Sequence, residues 1–314
     1  MGMKVFSGSS NLELAQGIVK ELGMELGEVK LGRFADGEIS IKINESVRGY
    51  DVYLVQSTSN PVNDNLMEAL IFADAFKRAS VNSVNLVMPY YGYARQDRKT
   101  AGREPITAKL VADLLTEAGV DRVLTMDLHA GQIQGYFDIP VDHFKGGDIL
   151  AGYFHDLVHG HEDEWVVVSP DLGGVTRARA FSHILNLPIG IIEKVRPKPN
   201  ESVVVDIIGD IKGKNCIIID DIIDTAGTIT NAANYLVEEG SKKVYITASH
   251  AVFSGDAIEK IQNSKVEKCV VTNSIHLDEK KRTDKMVILS IAPLLAEAMR
   301  RIDNCESVSA LFRE

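Results

Sequence analysis

Cysteine is scarce in this chain: Cys216, Cys269 and Cys305 are the only three among 314 residues, far apart and odd in number. That excludes a disulfide framework, offers no metal-ligand spacing and points to a reducing compartment. Long apolar runs are missing too. No stretch approaches the roughly 18 residues needed to cross a bilayer, and the opening MGMKVFSGSS has no basic segment followed by an apolar one. Phe6 stands where a myristoylation signal requires Ser or Thr. An excess of positive charge is also absent; the net charge of −10 argues against gripping nucleic acid or an anionic membrane through the overall field. Neither G-x-x-x-x-G-K-[ST] nor a helix-opening G-x-G-x-x-G occurs, so a nucleotide, if bound, is held by other groups. These absences leave a soluble, cytoplasmic protein whose partners are small molecules or other subunits.

What is present is an ordinary globular composition, 45% hydrophobic and 25% charged, in a chain long enough for two domains. β-Branched runs such as VYLVQS (52–57), VNLVMP (84–89), RVLTMD (122–127), WVVVSP (165–170), CIIIDD (216–221), KVYITA (243–248) and CVVTNS (269–274) predict strands covered on both faces. NDNLMEALIFADAFKRA, ITAKLVADLLTEAG and TITNAANYLVEEG carry apolar residues at three- and four-residue spacing and predict helices. The same order of elements recurs after roughly 163 residues: VFSGSSNLELAQGIVKELGMEL aligns with VVSPDLGGVTRARAFSHILNLPI, and GYDVYLVQSTSNPVNDNLMEAL with GKNCIIIDDIIDTAGTITNAAN. The reading is α/β throughout, a doubling into two similar domains over residues 1–147 and 148–314, with the C-terminal helix joining the first.

The second copy carries NCIIIDDIIDTAGTITNAANYL, in which Asp220, Asp221 and Asp224 crowd the mouth of an apolar strand just before a helix. Ligands of parallel sheets bind beyond the carboxyl ends of strands, and a helix N-terminus offers N–H groups to an anion. Thr225 and Thr228 add hydroxyls, while Ala226 and Gly227 permit close approach, so TAGT reads as a phosphate cup. Adjacent residues in an extended segment point to opposite sides, so at most one of Asp220 and Asp221 is expected to face the same ligand as Asp224. The acids suit sugar hydroxyls or a divalent cation; helix capping alone is the plainer alternative. PYYGYARQDRKTAGREP gathers Arg95, Arg98, Lys99 and Arg103 in a loop that either closes over a polyphosphate or is a solvated charged segment. In IIEKVRPKPN, Lys194 and Arg196 share one face of an extended chain, as a pair of cations for a transferring phosphoryl group or as a solvated hairpin end.

The DTAGT stretch resembles the ribose 5-phosphate loop of phosphoribosyltransferases and of ribose-phosphate pyrophosphokinases. YARQDRK, with RFADGEISIKINESVRG (33–49), MDLHAGQIQGYFDIPVD (126–142), SPDLGGVTRAR (169–179), EKVR and FSGDAI (253–258), resembles the second family, of bacterial class I-like type, across essentially the whole chain. The resemblance implies two phosphoribosyltransferase-like domains, each a mostly parallel sheet flanked by helices. It also implies transfer of a diphosphoryl group from magnesium-bound ATP to ribose 5-phosphate, for nucleotide biosynthesis. Residue by residue, it implies that Phe34, Asp36, Gly37 and Glu38 meet adenine from a neighbouring subunit, and that Arg95, Gln96, Arg98 and Lys99 serve ATP. His129 and Asp171 engage magnesium. Lys194 and Arg196 act in catalysis, while Arg196, Asp220, Asp221, Asp224, Thr225, Ala226, Gly227 and Thr228 hold ribose 5-phosphate. Ser46, Arg48, Ser80, Arg103, Ser307 and Ser309 match positions for regulatory phosphate or ADP in a hexamer built from dimers.

Ala226 departs from the DTGGT or DTCGT usual at this loop and is small enough to keep the cup; Thr100 departs where the family loop is more often charged. His155, His159 and His161 lack a fourth ligand for zinc. Two rival readings remain at this stage: a phosphoribosyltransferase that needs no ATP, and a catalytically silent regulatory subunit.

Overall fold

The β-branched runs form strands, and the strands segregate into two sheets. The structure, a computed structural model, describes residues 2–198 and 201–312; the side chains of 194–198 and 201–205 lie outside the described set. The chain forms two compact units, the first of residues 2–145, Ser274–His276 and 290–312, and the second of Gly146–Asn273 and Leu277–Leu289.

The first unit runs β1 (Met3–Ser7), α1 (Leu12–Leu22), β2 (Val29–Arg33), β3 (Ile39–Ile43), β4 (Asp51–Val55), α2 (Val62–Arg78), β5 (Ser83–Val87), α3 (Thr107–Glu117), β6 (Arg122–Met126) and β7 (Val141–Phe144). Its 5-stranded sheet has the order β1-β4-β5-β6-β7, all parallel, and β2 pairs with β3 as a separate antiparallel hairpin. The second unit runs α4 (Gly147–Val158), β8 (Trp165–Ser169), α5 (Val175–Leu185), β9 (Ile189–Lys198), β10 (Glu201–Ile208), β11 (Asn215–Ile223), α6 (Gly227–Glu238), β12 (Lys243–Ala251), α7 (Ala257–Asn263), β13 (Val266–Thr272) and β14 (Met286–Leu289). Its 7-stranded sheet has the order β10-β9-β8-β11-β12-β13-β14, with β10 alone antiparallel to its neighbour. A last helix, α8 (Ala292–Asp303), packs on α1 in the first unit.

The two sheets share one topology, since β1-β4-β5-β6-β7 corresponds strand for strand to β8-β11-β12-β13-β14. The hairpins differ: β2–β3 stands apart, whereas β9–β10 extends the main sheet. Helices bury the faces that their periodicity predicts. Ile229, Ala232, Ala233 and Leu236 of α6 are buried with Ile218, Val244 and Ile246. Phe72 and Phe76 of α2 are buried with Leu54, Val84 and Leu86, and Phe76 meets Phe6 at 5.0 Å between ring centroids. Each of the larger side chains among them, such as Leu236 and Phe72, contributes about 1.5–3 kcal/mol through removal from water. Burial also pushes the Cys216 and Cys269 thiols up to about 12, which leaves them inert as nucleophiles. Among the described residues no helix is long and apolar enough to cross a membrane.

Candidate functional site

In the second unit the chain leaves β8, adds β9 on one side and returns to place β11 on the other. That reversal opens a crevice at the carboxyl ends of β8 and β11, the usual binding place in such sheets. β11 brings Asp220 and Asp221 there, and β8 leads into SPDLGG. Arg177, in the first turn of α5, places Nη1 2.7 Å from Asp220 Oδ1 and Nη2 3.1 Å from Asp221 Oδ1. The two carboxylates therefore share one guanidinium, although exposure still alternates between the half-buried Asp220 and the buried Asp221. The cause is local: the Asp221 N–H donates to Asp220 Oδ1 at 2.9 Å and folds that carboxylate back along the chain, within reach of the wide arginine fork. Asp221 is 4% exposed. Burial, and then the hydrogen bond and charge of Asp221, raise the Asp220 carboxyl to about 7, with Arg177 opposing.

Beyond β11 the chain turns through Asp224, whose carbonyl accepts from Ser254 N at 3.0 Å. Thr225 and Thr228 are exposed and Asp224 is half-buried. Ala226 has φ 59° and ψ −8°, a left-handed conformation costing a non-glycine residue about 1–2 kcal/mol. It leads directly into α6, which no side chain caps. A turn of this kind at a helix N-terminus presents successive N–H groups to an anion. Asp171, exposed in the loop after β8, accepts from Gly174 N at 3.0 Å and so closes the turn that leads into α5. Lys194 and Arg196 belong to β9, and their side chains lie outside the described residues.

In the first unit a cavity of about 510 Å³ is lined by residues 60–64, Tyr90 and residues 92–96, so Arg95 and Gln96 meet the N-terminus of α2. Gln96 Oε1 accepts from Thr107 Oγ1 at 2.5 Å. Asp97, 7% exposed, accepts from Gln132 Nε2 at 3.1 Å, and its carbonyl accepts from the Tyr136 hydroxyl, which anchors the base of the basic loop. Arg98 and Lys99 extend exposed from that anchor. Glu104 then closes a turn by accepting from Thr100 N, Thr100 Oγ1 and Ala101 N at 2.7, 2.8 and 2.9 Å; these bonds hold its carboxyl below the usual range.

The tip of the β2–β3 hairpin holds Phe34, Asp36, Gly37 and Glu38, with Phe34 59% exposed. Arg33 Nη2 reaches Asp64 Oδ2 at 3.1 Å and ties this hairpin to the cavity rim. His129 follows β6 and is exposed; its neighbour Leu128 donates its N–H to Nε2 of the buried His143 at 2.9 Å. Ser46 and Arg48 lie in a turn joined to Ser80 by Gly49 N donating to Ser80 O at 2.9 Å. Ser307 and Ser309 are 3.0 Å apart between hydroxyls, and Arg103 lies in the basic loop with φ 68°. His155 and His159 stack with ring centroids 5.7 Å apart. Among the described residues no group of three or more His, Cys, Asp or Glu side chains could hold a metal ion.

Arg177, Asp97 and His143 were missed as individual site residues in the sequence reading. The available signal for Arg177 was a crowd of acids at the end of an apolar strand, calling for a cation from the first turn of the helix that follows a neighbouring strand.

Residues 3–119 match the family model described as the N-terminal domain of ribose phosphate pyrophosphokinase, and residues 162–313 match the phosphoribosyl synthetase-associated domain. A ribose-phosphate pyrophosphokinase of Clostridium tetani is 60% identical over 310 residues, covering 99% of this chain and 97% of the relative. One from Bacillus caldolyticus is 58% identical over 310 residues, covering 99% and 98%. The crystal structure of phosphoribosylpyrophosphate synthetase from Mycobacterium smegmatis superposes with a TM-score of 0.90 at 42% identity, covering 97% of this chain and 100% of that one.

Proposed function

The chain belongs to the ribose-phosphate pyrophosphokinase family, and from that membership we propose how its residues divide the family's reaction. The enzyme transfers the diphosphoryl group of ATP to the 1-hydroxyl of ribose 5-phosphate. The hydroxyl oxygen bonds to the β-phosphorus, the bond from that phosphorus to the α-phosphate oxygen breaks, and the hydroxyl proton is released. The products are 5-phosphoribosyl 1-diphosphate, for nucleotide biosynthesis, and AMP.

The observation that carries the assignment is the open junction after β11, where a left-handed turn and an uncapped helix lie beside a carboxylate pair. Thr225, Ala226, Gly227 and Thr228 take the 5-phosphate, while Asp220, Asp221 and Asp224 take the ribose hydroxyls, with Arg196 assisting. Arg95, Gln96, Arg98 and Lys99 bind ATP, and Phe34, Asp36, Gly37 and Glu38 of a neighbouring copy cover its adenine. Lys194 and Arg196 stabilise charge that develops on the transferring group. With no side chain assigned as general base, positioning and neutralisation carry the step. Residues 1–147 thus handle the nucleotide and 148–314 the sugar phosphate.

Magnesium fits this donor set. Mg²⁺ usually takes one or two protein groups and completes its shell with phosphate oxygens and water; Asp171 offers an exposed carboxylate in the second unit and His129 an exposed imidazole in the first, each suited to such a partial role. Bound there, it would neutralise polyphosphate charge. We further assign Ser46, Arg48, Ser80, Arg103, Ser307 and Ser309 to inorganic phosphate or ADP as regulators, a hexamer of dimers as the assembly, and the cytoplasm as the location.

The test is AMP formation from ATP and magnesium with and without ribose 5-phosphate. Release that depends on ribose 5-phosphate is expected. Its absence in folded, magnesium-replete protein, or turnover of phosphoribosyl pyrophosphate with a nucleobase instead, contradicts the reading.

A further inference from the structure

The phosphate end of the β11–α6 loop is electrostatically unbalanced. Asp220, Asp221 and Asp224 precede it in the chain, Asp256 stands close by, and Arg177 is engaged by the first two. The N-terminus of α6 supplies only about half a positive charge, whereas a phosphate monoester brings close to two negative ones. Lys260, on α7, carries an ammonium to this place. Its Nζ lies 3.4 Å from the Thr225 carbonyl oxygen and 3.9 Å from where a Cβ on Gly227, the first residue of α6, would sit. It also lies 2.7 Å from Asp256 Oδ1, one helical turn away.

We propose, on the footing of the function assigned above, that Lys260 is a further binding residue for the 5-phosphate of ribose 5-phosphate, held beside the cup by Asp256 and transferred to the phosphate when the sugar binds. The Lys260–Asp256 pair is exposed, 39% and 60% by side chain, and exposed pairs at this spacing hold weakly in water. A phosphate on the first turn of α6 offers the ammonium more charge and stronger acceptors. The four-carbon stem of lysine lets Nζ cross the short distance without moving the helix. Asp256 is then a competitor of the substrate for one cation.

A purely structural pair predicts that loss of either partner has the same consequence; competition predicts opposite ones. Initial rates against ribose 5-phosphate at saturating ATP and magnesium separate the two. Lys260→Met is expected to raise the KM for ribose 5-phosphate roughly tenfold, the lower end for a charged hydrogen bond, with Lys260→Arg close to wild type. Asp256→Asn is expected to leave that KM at or below the wild-type value. The KM for ATP and the Tm stay unchanged throughout. Calorimetric titration of Lys260→Met should show weakened ribose 5-phosphate binding with no change for ribose. A KM for Lys260→Met within twofold of wild type, or an increase for Asp256→Asn like that for Lys260→Met, overturns the proposal. Failure of the underlying function is seen separately, in wild-type protein that forms no AMP with ribose 5-phosphate, and overturns both.

Discussion

Two strand-to-helix junctions at corresponding places in the two sheets have gone opposite ways. After β11 the polar groups are left open: Asp224 is half-buried, Thr225 and Thr228 are exposed, and α6 begins without a cap. After β4 the corresponding groups are sealed, with Gln56, Ser57, Thr58 and Ser59 all at most 5% exposed. Gln56 Nε2 donates to Glu68 Oε1 at 2.9 Å, Asn65 Nδ2 to Ser59 O at 2.9 Å, and Gly92 N to Thr58 Oγ1 at 2.6 Å. Glu68 also accepts from Ser9 N and Ser9 Oγ at 2.6 and 2.9 Å. A Cβ on Gly8 would lie 2.3 Å from Gln56 Oε1, so the mouth is filled to contact. Where the second unit sets Arg177 against Asp220, the aligned positions of the first hold the buried Ala15 and Gln56. The same topology thus yields a closed polar cluster or an open one according to whether its own side chains consume the hydrogen bonds at the strand end.

The sharpest break of this contrast is Arg177→Met. It leaves two adjacent carboxylates without their cation, and breaking a buried pair costs about 3–5 kcal/mol. Because Arg177 and Asp220 are close to a third exposed by side chain, about 2–3 kcal/mol is expected in urea unfolding near pH 8, with at least a hundredfold loss of turnover. Unchanged turnover would show that the acid pair needs no neutralisation.

Glu68→Ala attacks the sealed junction. It removes the acceptor of three hydrogen bonds from a residue 3% exposed, and urea unfolding should show a loss of about 2–3 kcal/mol. The KM for ribose 5-phosphate should not move; a large increase would mean that the first junction serves the sugar.

The smallest effect concerns pH. The folded-state pKa of Asp220 is raised above its unfolded value, so between about 4 and about 7 the folded chain binds the extra proton, and stability falls as pH rises through that window. Asp220→Asn removes this dependence. Urea midpoints should match wild type near pH 4 and exceed it by about 1 kcal/mol above pH 7, after discount for solvent exposure. A variant less stable than wild type at pH 8 would mean that Arg177 more than offsets burial.

Much of the fold was legible because its signals are local. CIIIDD is continuous enough to announce a central strand, and α6 repeats its apolar residues at helical spacing. Short strands such as VDHF of β7 and MVIL of β14 have too few residues to show a period. The loop of the site was legible for the same local reason, its acids and TAGT standing together in the chain. Arg177 was not, because 43 positions separate it from Asp220 and only the strand order brings them together. That Asp220 and Asp221 meet one guanidinium was not legible either, since the alternation of a regular strand takes no account of a backbone N–H bonding the preceding carboxylate. Asp97 escaped notice inside a motif read for its more exposed members, and His143 falls just beyond the motif that ends at Asp142.

Calorimetric titration of ribose 5-phosphate into the wild-type enzyme and into Gly227→Ala tests the asymmetry between the junctions most directly. A Cβ at Gly227 meets nothing closer than Lys260 Nζ at 3.9 Å, so the variant should fold as wild type while its methyl group intrudes on the phosphate. One ribose 5-phosphate per chain, with affinity lowered roughly tenfold or more by that methyl, is the predicted result. Two per chain, or binding indifferent to Gly227→Ala, would contradict the assignment of the open β11–α6 junction as the ribose 5-phosphate site.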